Sequence, residues 1–150
     1  MTTTTQAAQV STEVNASPET VWAALTTPEM LKQYFFGSAI DTDWNVGSPI
    51  YFRGEYEGTK YEDKGEIVAF EPCERLSFSH WSALSGMPDT PESYHVVTFE
   101  LTGSGDNTNV TLTQDNRQGA EDVDADSRKE LEKNWSMVLA GLKKTAEGAT

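Results

Sequence analysis

Hydrophobic positions along this 150-residue chain follow two periods, and the switch between them predicts its elements. The clearest helical stretch is the last, roughly 122–147. Leu131, Trp135, Val138 and Leu142 recur at i, i+4, i+7 and i+11, with Leu139 and Ala146 beside them. At about 100° per residue these positions form one apolar stripe. Glu132, Lys133, Ser136, Lys143 and Lys144 fall on the other side. Ser127 and Glu130 have capping-box spacing, which predicts that the regular helix begins there. A stripe this wide has to be buried, and nearly everything upstream that can bury it reads as strand.

Upstream, Val10, Thr12 and Val14 alternate with polar residues and predict a first strand, preceded by a flexible tail over 1–9. Ser17-Pro18-Glu19 supplies an N-cap, a proline for the first helical position and an acid in the first turn. A short helix follows, with Val21, Trp22 and Leu25 inward. Thr27-Pro28-Glu29 opens a second, which carries Met30, Leu31, Tyr34 and Phe35. The period then changes to two. Strands are predicted over 39–44, 49–56, 60–71, 75–82, 94–102 and 109–117, separated by turn residues such as Glu57-Gly58 and Gly103 to Asn107. Short turns between sequential strands imply antiparallel pairing. The sum is an α+β architecture in two layers, about seven strands and a long C-terminal helix, in one domain over 10–147.

Alternation also assigns faces. His95, Val97, Phe99 and Leu101 share one side, as do Val110 and Leu112, and Leu76, Phe78 and His80 share another. If these apolar faces meet the last helix, then His80, His95 and Gln114 point inward near strand ends.

Charge and cysteine content narrow the function classes. A net charge of −13 with scattered Lys and Arg argues against nucleic acid and anionic membranes as partners, because both need clustered basic groups. The single cysteine, Cys73, rules out an internal disulfide. The first residues lack the basic and apolar regions of a secretory signal, and the longest apolar run, Val21 to Leu25, is too short to span a bilayer. A cytoplasmic protein is the expectation.

Four stretches, in order, resemble a known family. They are Ser17-Pro18-Glu19-Thr20-Val21-Trp22 continuing to Thr27-Pro28-Glu29; Phe35-Phe36-Gly37-Ser38 through Asp43-Trp44 to Gly47-Ser48-Pro49-Ile50; Gly65-Glu66-Ile67-Val68-Ala69-Phe70-Glu71-Pro72 with Arg75-Leu76 and Trp81; and Asn134-Trp135 with Leu139 and Leu142. Together they resemble the domain family named after the activator of the Hsp90 ATPase, within the START/Bet v 1-like superfamily. The resemblance implies the helix-grip fold, in which a curved antiparallel sheet wraps a long C-terminal helix and two short helices follow the first strand. It implies a cavity between sheet and helix, where superfamily members bind lipids, sterols and polyketides and a few carry out cyclase chemistry. The co-chaperone that names the family has a second, N-terminal domain, for which 150 residues leave no room. The name therefore does not by itself carry Hsp90 activation over to this chain.

Candidate chemistry centres on His80 and His95. Each is either a satisfied interior histidine or a polar anchor and general acid/base within a pocket. No spacing pairs them with a nucleophile, no metal-ligand motif is present, and no cofactor signature is visible, so no cofactor and no metal are expected. The aromatic residues either fill the core or line a cavity. Trp44, Phe78, His80, Tyr94, His95 and Trp135 are the expected ligand contacts. The segment 83–93, punctuated by Gly86, Pro88 and Pro91, is the natural lid, and Tyr34-Phe35-Phe36-Gly37 the opposite rim. The expected function is binding of a small apolar or aromatic molecule. The alternatives are a cyclase- or hydrolase-type enzyme in the same cavity and a co-chaperone-like module with a protein partner.

Overall fold

The computed structural model describes residues 5–34, 39–81, 94–116 and 125–148. In chain order the elements are β1 (Thr5–Val14), α1 (Pro18–Thr26), α2 (Pro28–Tyr34), β2 (Ala39–Asp41), β3 (Pro49–Tyr56), β4 (Thr59–Glu71), β5 (Arg75–His80), β6 (His95–Ser104), β7 (Asn107–Asn116) and α3 (Ala125–Gly148). The strands form one seven-stranded sheet in the order β1-β7-β6-β5-β4-β3-β2. Every neighbouring pair is antiparallel.

Local chemistry explains the helix starts. The Ser17 hydroxyl accepts from the Thr20 backbone N–H at 3.2 Å, and Pro18 takes the first turn, where its missing N–H costs nothing. The stripe of α3 is buried as its period requires. Val138, Leu142 and Ala146 are fully enclosed, with Trp135 and Leu139 nearly so. They face Val97, Phe99, Leu101, Val110 and Leu112, the inward set of β6 and β7. Each such side chain contributes roughly 1.5–3 kcal/mol through its removal from water. Trp22 of α1 meets Phe70 edge-on at 5.2 Å. The Tyr34 hydroxyl, buried between α1 and α3, donates to the Ala24 carbonyl at 2.6 Å, and burial raises its pKa far above the ordinary phenol value.

Four expectations need correction. The first strand begins at Thr5, not Val10, because Gln6 and residues from Ala8 onward pair with β7 and Ala8 is fully buried. A tail over all of 1–9 is thus excluded, and residues 1–4 lie outside the described residues. The strand expected over 39–44 stops at Asp41, where pairing with β3 ends, and by Trp44 the chain has turned into a left-handed φ of 64°. The backbone of α3 is helical from Ala125, so Ser127 lies within its first turn rather than at its start. The turn expected over 103–107 tightens to Gly105 and Asp106, because pairing continues to Ser104 and Asn107. The expected lid over 83–93 and the rim residues Phe35 to Gly37 lie outside the described residues.

β1 is an edge strand, and α3 covers its outer edge with side chains. The Gln9 N–H donates to Glu132 at 3.1 Å and the Asn15 N–H to Glu147 at 2.9 Å. Lys143 Nζ donates to the Glu13 carbonyl at 2.8 Å and to Glu147 at 2.7 Å. Backbone groups that would otherwise invite another strand are thereby satisfied by the helix.

Candidate functional site

Between the inner face of the sheet and the first turns of α3 lies a cavity of about 220 Å³. Phe52 of β3, Tyr61 and Asp63 of β4, Phe78 and His80 of β5, His95 of β6 and Gln114 of β7 line one side. Leu131, Asn134 and Trp135 of α3 close it from the other. The wall is mainly apolar, and its polar groups converge at the end where β5 and β6 leave the sheet.

Strand register builds that polar end. His80 and His95 are direct cross-strand partners, so their side chains share one face. His80 Nδ1 lies 3.0 Å from His95 Nε2, and His80 Nε2 lies 3.2 Å from Asp63 Oδ2. The result is a chain, Asp63–His80–His95, in which each imidazole is oriented by the next group. The Phe52 ring stands edge-on to His80 at 5.1 Å and packs against Phe78 at 5.5 Å. Burial, then the neighbouring His80, hold the pKa of His95 down to about 3, with Asp63 acting weakly in the opposite sense. His95 is therefore a neutral imidazole at physiological pH. A second polar contact lies beside the first. Trp135 Nε1–H donates to Gln114 Oε1 at 2.8 Å within the buried layer.

Two close approaches shape the wall. Gly54 is the cross-strand partner of Tyr61, and a Cβ there would come within 2.6 Å of the tyrosine hydroxyl. The glycine lets the Tyr61 ring lie over the strand and reach the cavity. A Cβ on Gly65 would run into the Ser79 carbonyl. Ser79 Oγ accepts from the Glu66 N–H at 2.9 Å, tying β4 to β5 just before His80.

Of the six expected ligand contacts, the structure brings together Phe78, His80, His95 and Trp135. Trp44 is not in this cavity. Its left-handed backbone turns it toward Phe70, at 6.0 Å, and beside a closed apolar recess of about 10 Å³ lined also by Leu31 and Ile50. Tyr94 precedes His95 and takes the opposite side, stacking on Trp81 at 6.5 Å. Expectation omitted Phe52, Tyr61, Asp63, Gln114, Leu131 and Asn134 from the contact set. The signal was present for β4, where Tyr61 and Asp63 share parity with buried Ile67, so an acid sits on an inward position. Arg53, on the outer face, pairs with Asp41 at 2.9 Å and Glu62 at 2.6 Å and lies over the Tyr51 ring.

A seven-stranded antiparallel sheet gripping one C-terminal helix, with a cavity between them, defines a helix-grip protein. The chain belongs to the activator of Hsp90 ATPase homolog 1-like family, whose model matches residues 15–147. It is similar to the solution structure of ChR145 from Cytophaga hutchinsonii, with 45% identity, a TM-score of 0.79, and coverage of 95% of this chain and 94% of that one. CalU16 from Micromonospora echinospora shares 20% identity at a TM-score of 0.69, over 97% of this chain and 85% of its own. The Aha1 dimer from Colwellia psychrerythraea shares 22% identity at a TM-score of 0.66, over 93% and 94%. At such identities the last two likenesses concern the fold alone. No curated protein matches the chain by sequence. Among the described residues, no helix is long and apolar enough to cross a membrane.

Proposed function

We propose that this protein binds a small, mostly apolar, aromatic or oxygenated molecule in the cavity between the sheet and α3. The observation that carries the reading is the cavity itself. About 220 Å³ is enclosed by Phe52, Phe78, Leu131 and Trp135, with polar groups converging at one end. That combination is the usual constitution of a small-molecule site: apolar walls for affinity and a few placed polar groups for orientation. Family membership supports the general setting and leaves the ligand open. Native mass spectrometry of gently purified protein, with a thermal-shift screen of aromatic metabolites, tests it. A co-purifying mass, or a compound that raises Tm with concentration, is the expected result. The absence of both results moves the function to a protein partner, a chaperone included.

The Asp63–His80–His95 chain favours one second reading, an enzyme of cyclase or hydrolase type with a histidine as general base. It requires turnover of activated aromatic esters whose pH–rate profile changes in His80→Gln and His95→Gln. Identical profiles in wild type and both variants exclude it.

A further inference from the structure

Donor and acceptor roles at the polar end of the cavity are determined by the groups behind them. An indole N–H only donates, so the Gln114 atom that meets Trp135 must be its carbonyl oxygen. That leaves the Gln114 NH₂ as the part of the amide able to donate to a ligand. On the other side, the Asp63 carboxylate only accepts, so His80 Nε2 carries a proton toward it. With one proton on each imidazole, His80 Nδ1 then accepts and His95 Nε2–H donates to it. The remaining nitrogen of His95, Nδ1, is left as a lone-pair acceptor, with no hydrogen-bond partner among the described residues. Gln114 pairs with Val97, two residues from His95 on the same face, so the acceptor and the donor are diagonal neighbours.

On the reading that the cavity holds a small molecule, we propose that its polar end selects an uncharged hydroxyl group on an aromatic ligand and rejects a carboxylate. The hydroxyl donates its hydrogen to His95 and accepts from the Gln114 NH₂. A carboxylate has no hydrogen to donate and would set its charge against the His95 lone pair. It would also lose its hydration among apolar walls close to Asp63. The alternative, drawing a proton onto His95, is opposed by the burial that holds its pKa down to about 3. Among the described residues, the α3 side of the cavity supplies Leu131, Asn134 and Trp135, all uncharged. Among the described residues, the titratable groups facing the site are Tyr61, Asp63, His80 and His95.

The test uses three probes of one shape, 2-naphthol, naphthalene and 2-naphthoate, bound to the intact protein at pH 8 and followed by calorimetry and tryptophan fluorescence. The expected order of affinity is naphthol, then naphthalene, then naphthoate, with about a tenfold step between the first two for the hydroxyl's hydrogen bonds. The ratio of naphthol to naphthalene affinity should approach one in His95→Leu. It should fall about threefold in Trp135→Phe, which keeps the ring but frees the Gln114 amide to rotate. The Trp135→Phe variant keeps an aromatic ring on the buried stripe, and any change in packing acts on naphthol and naphthalene alike, so the ratio stays readable even if the first variant folds poorly. Equal binding of naphthol and naphthalene, tighter binding of naphthoate, or a ratio unmoved in Trp135→Phe overturns the selectivity while leaving the cavity reading in place. Binding of none of the three overturns both.

Discussion

At the scale of single residues, buried His95 makes stability depend on pH. Unfolded, the His95 imidazole titrates near its ordinary value of 6.5, whereas in the fold burial and His80 hold it down to about 3. The unfolded state therefore binds more protons across that window. Stability from this residue is complete above the unfolded value and is lost as pH falls toward the folded one, by up to about 1.4 kcal/mol per pH unit. Urea unfolding at pH 7 and pH 5 should show a steep acid limb that flattens in His95→Gln. An unchanged limb would mean that His95 is already solvated. The glycines of β3 and β4 offer a contrast. Gly54→Ala meets only the movable end of Tyr61, so Tm should shift little while ligand affinity changes. Gly65→Ala meets the Ser79 backbone and should cost about 1–3 kcal/mol in chemical denaturation, since overpacking against backbone cannot relax by a rotamer change.

At the scale of elements, α3 does two jobs with two faces. Its apolar stripe closes the core, and its flank holds the edge strand β1 through Glu132, Lys143 and Glu147. Glu147 has its pKa lowered first by the Lys143 hydrogen bond and then by the Asn15 N–H. A depressed carboxylate stabilises above its unfolded pKa and loses that contribution as pH falls through the folded value. Glu147→Ala should therefore speed amide exchange at Asn15 and along the end of β1 at neutral pH, while β5 and β6 remain protected. Exchange accelerated equally across the sheet would show that the clasp is not a local device.

At the scale of the whole molecule, 24 acidic against 11 basic side chains leave a net charge of −13. Self-repulsion of that size destabilises the compact state, and salt screens it. Scanning calorimetry at neutral pH should show Tm rising by several degrees between roughly 10 mM and 500 mM sodium chloride, since the Debye length shrinks from about 30 Å to a few ångströms. A Tm that falls with salt would mean that ion pairs such as Arg53 with Asp41 and Glu62 outweigh the repulsion. The same field opposes an anionic ligand at long range, in the same sense as the local chemistry of the cavity.

Much of the architecture was legible in the sequence because it rests on local rules. The period of 3.6 placed α3, the period of two placed the inward faces of β5, β6 and β7, and Ser17-Pro18 marked the start of α1. The same parity turned both histidines inward before any partner was known. Tertiary structure decided what parity cannot express. Register between β5 and β6 set His80 opposite His95, and the fold of β4 brought Asp63 behind them, two couplings between residues distant in sequence. A left-handed residue removed Trp44 from the cavity, and a one-residue offset turned Tyr94 to the other face, although both are large aromatics of the kind composition favours. The physical reason is that side-chain direction follows from local backbone geometry, whereas a binding site is a meeting of strands whose neighbours are chosen by the sheet as a whole.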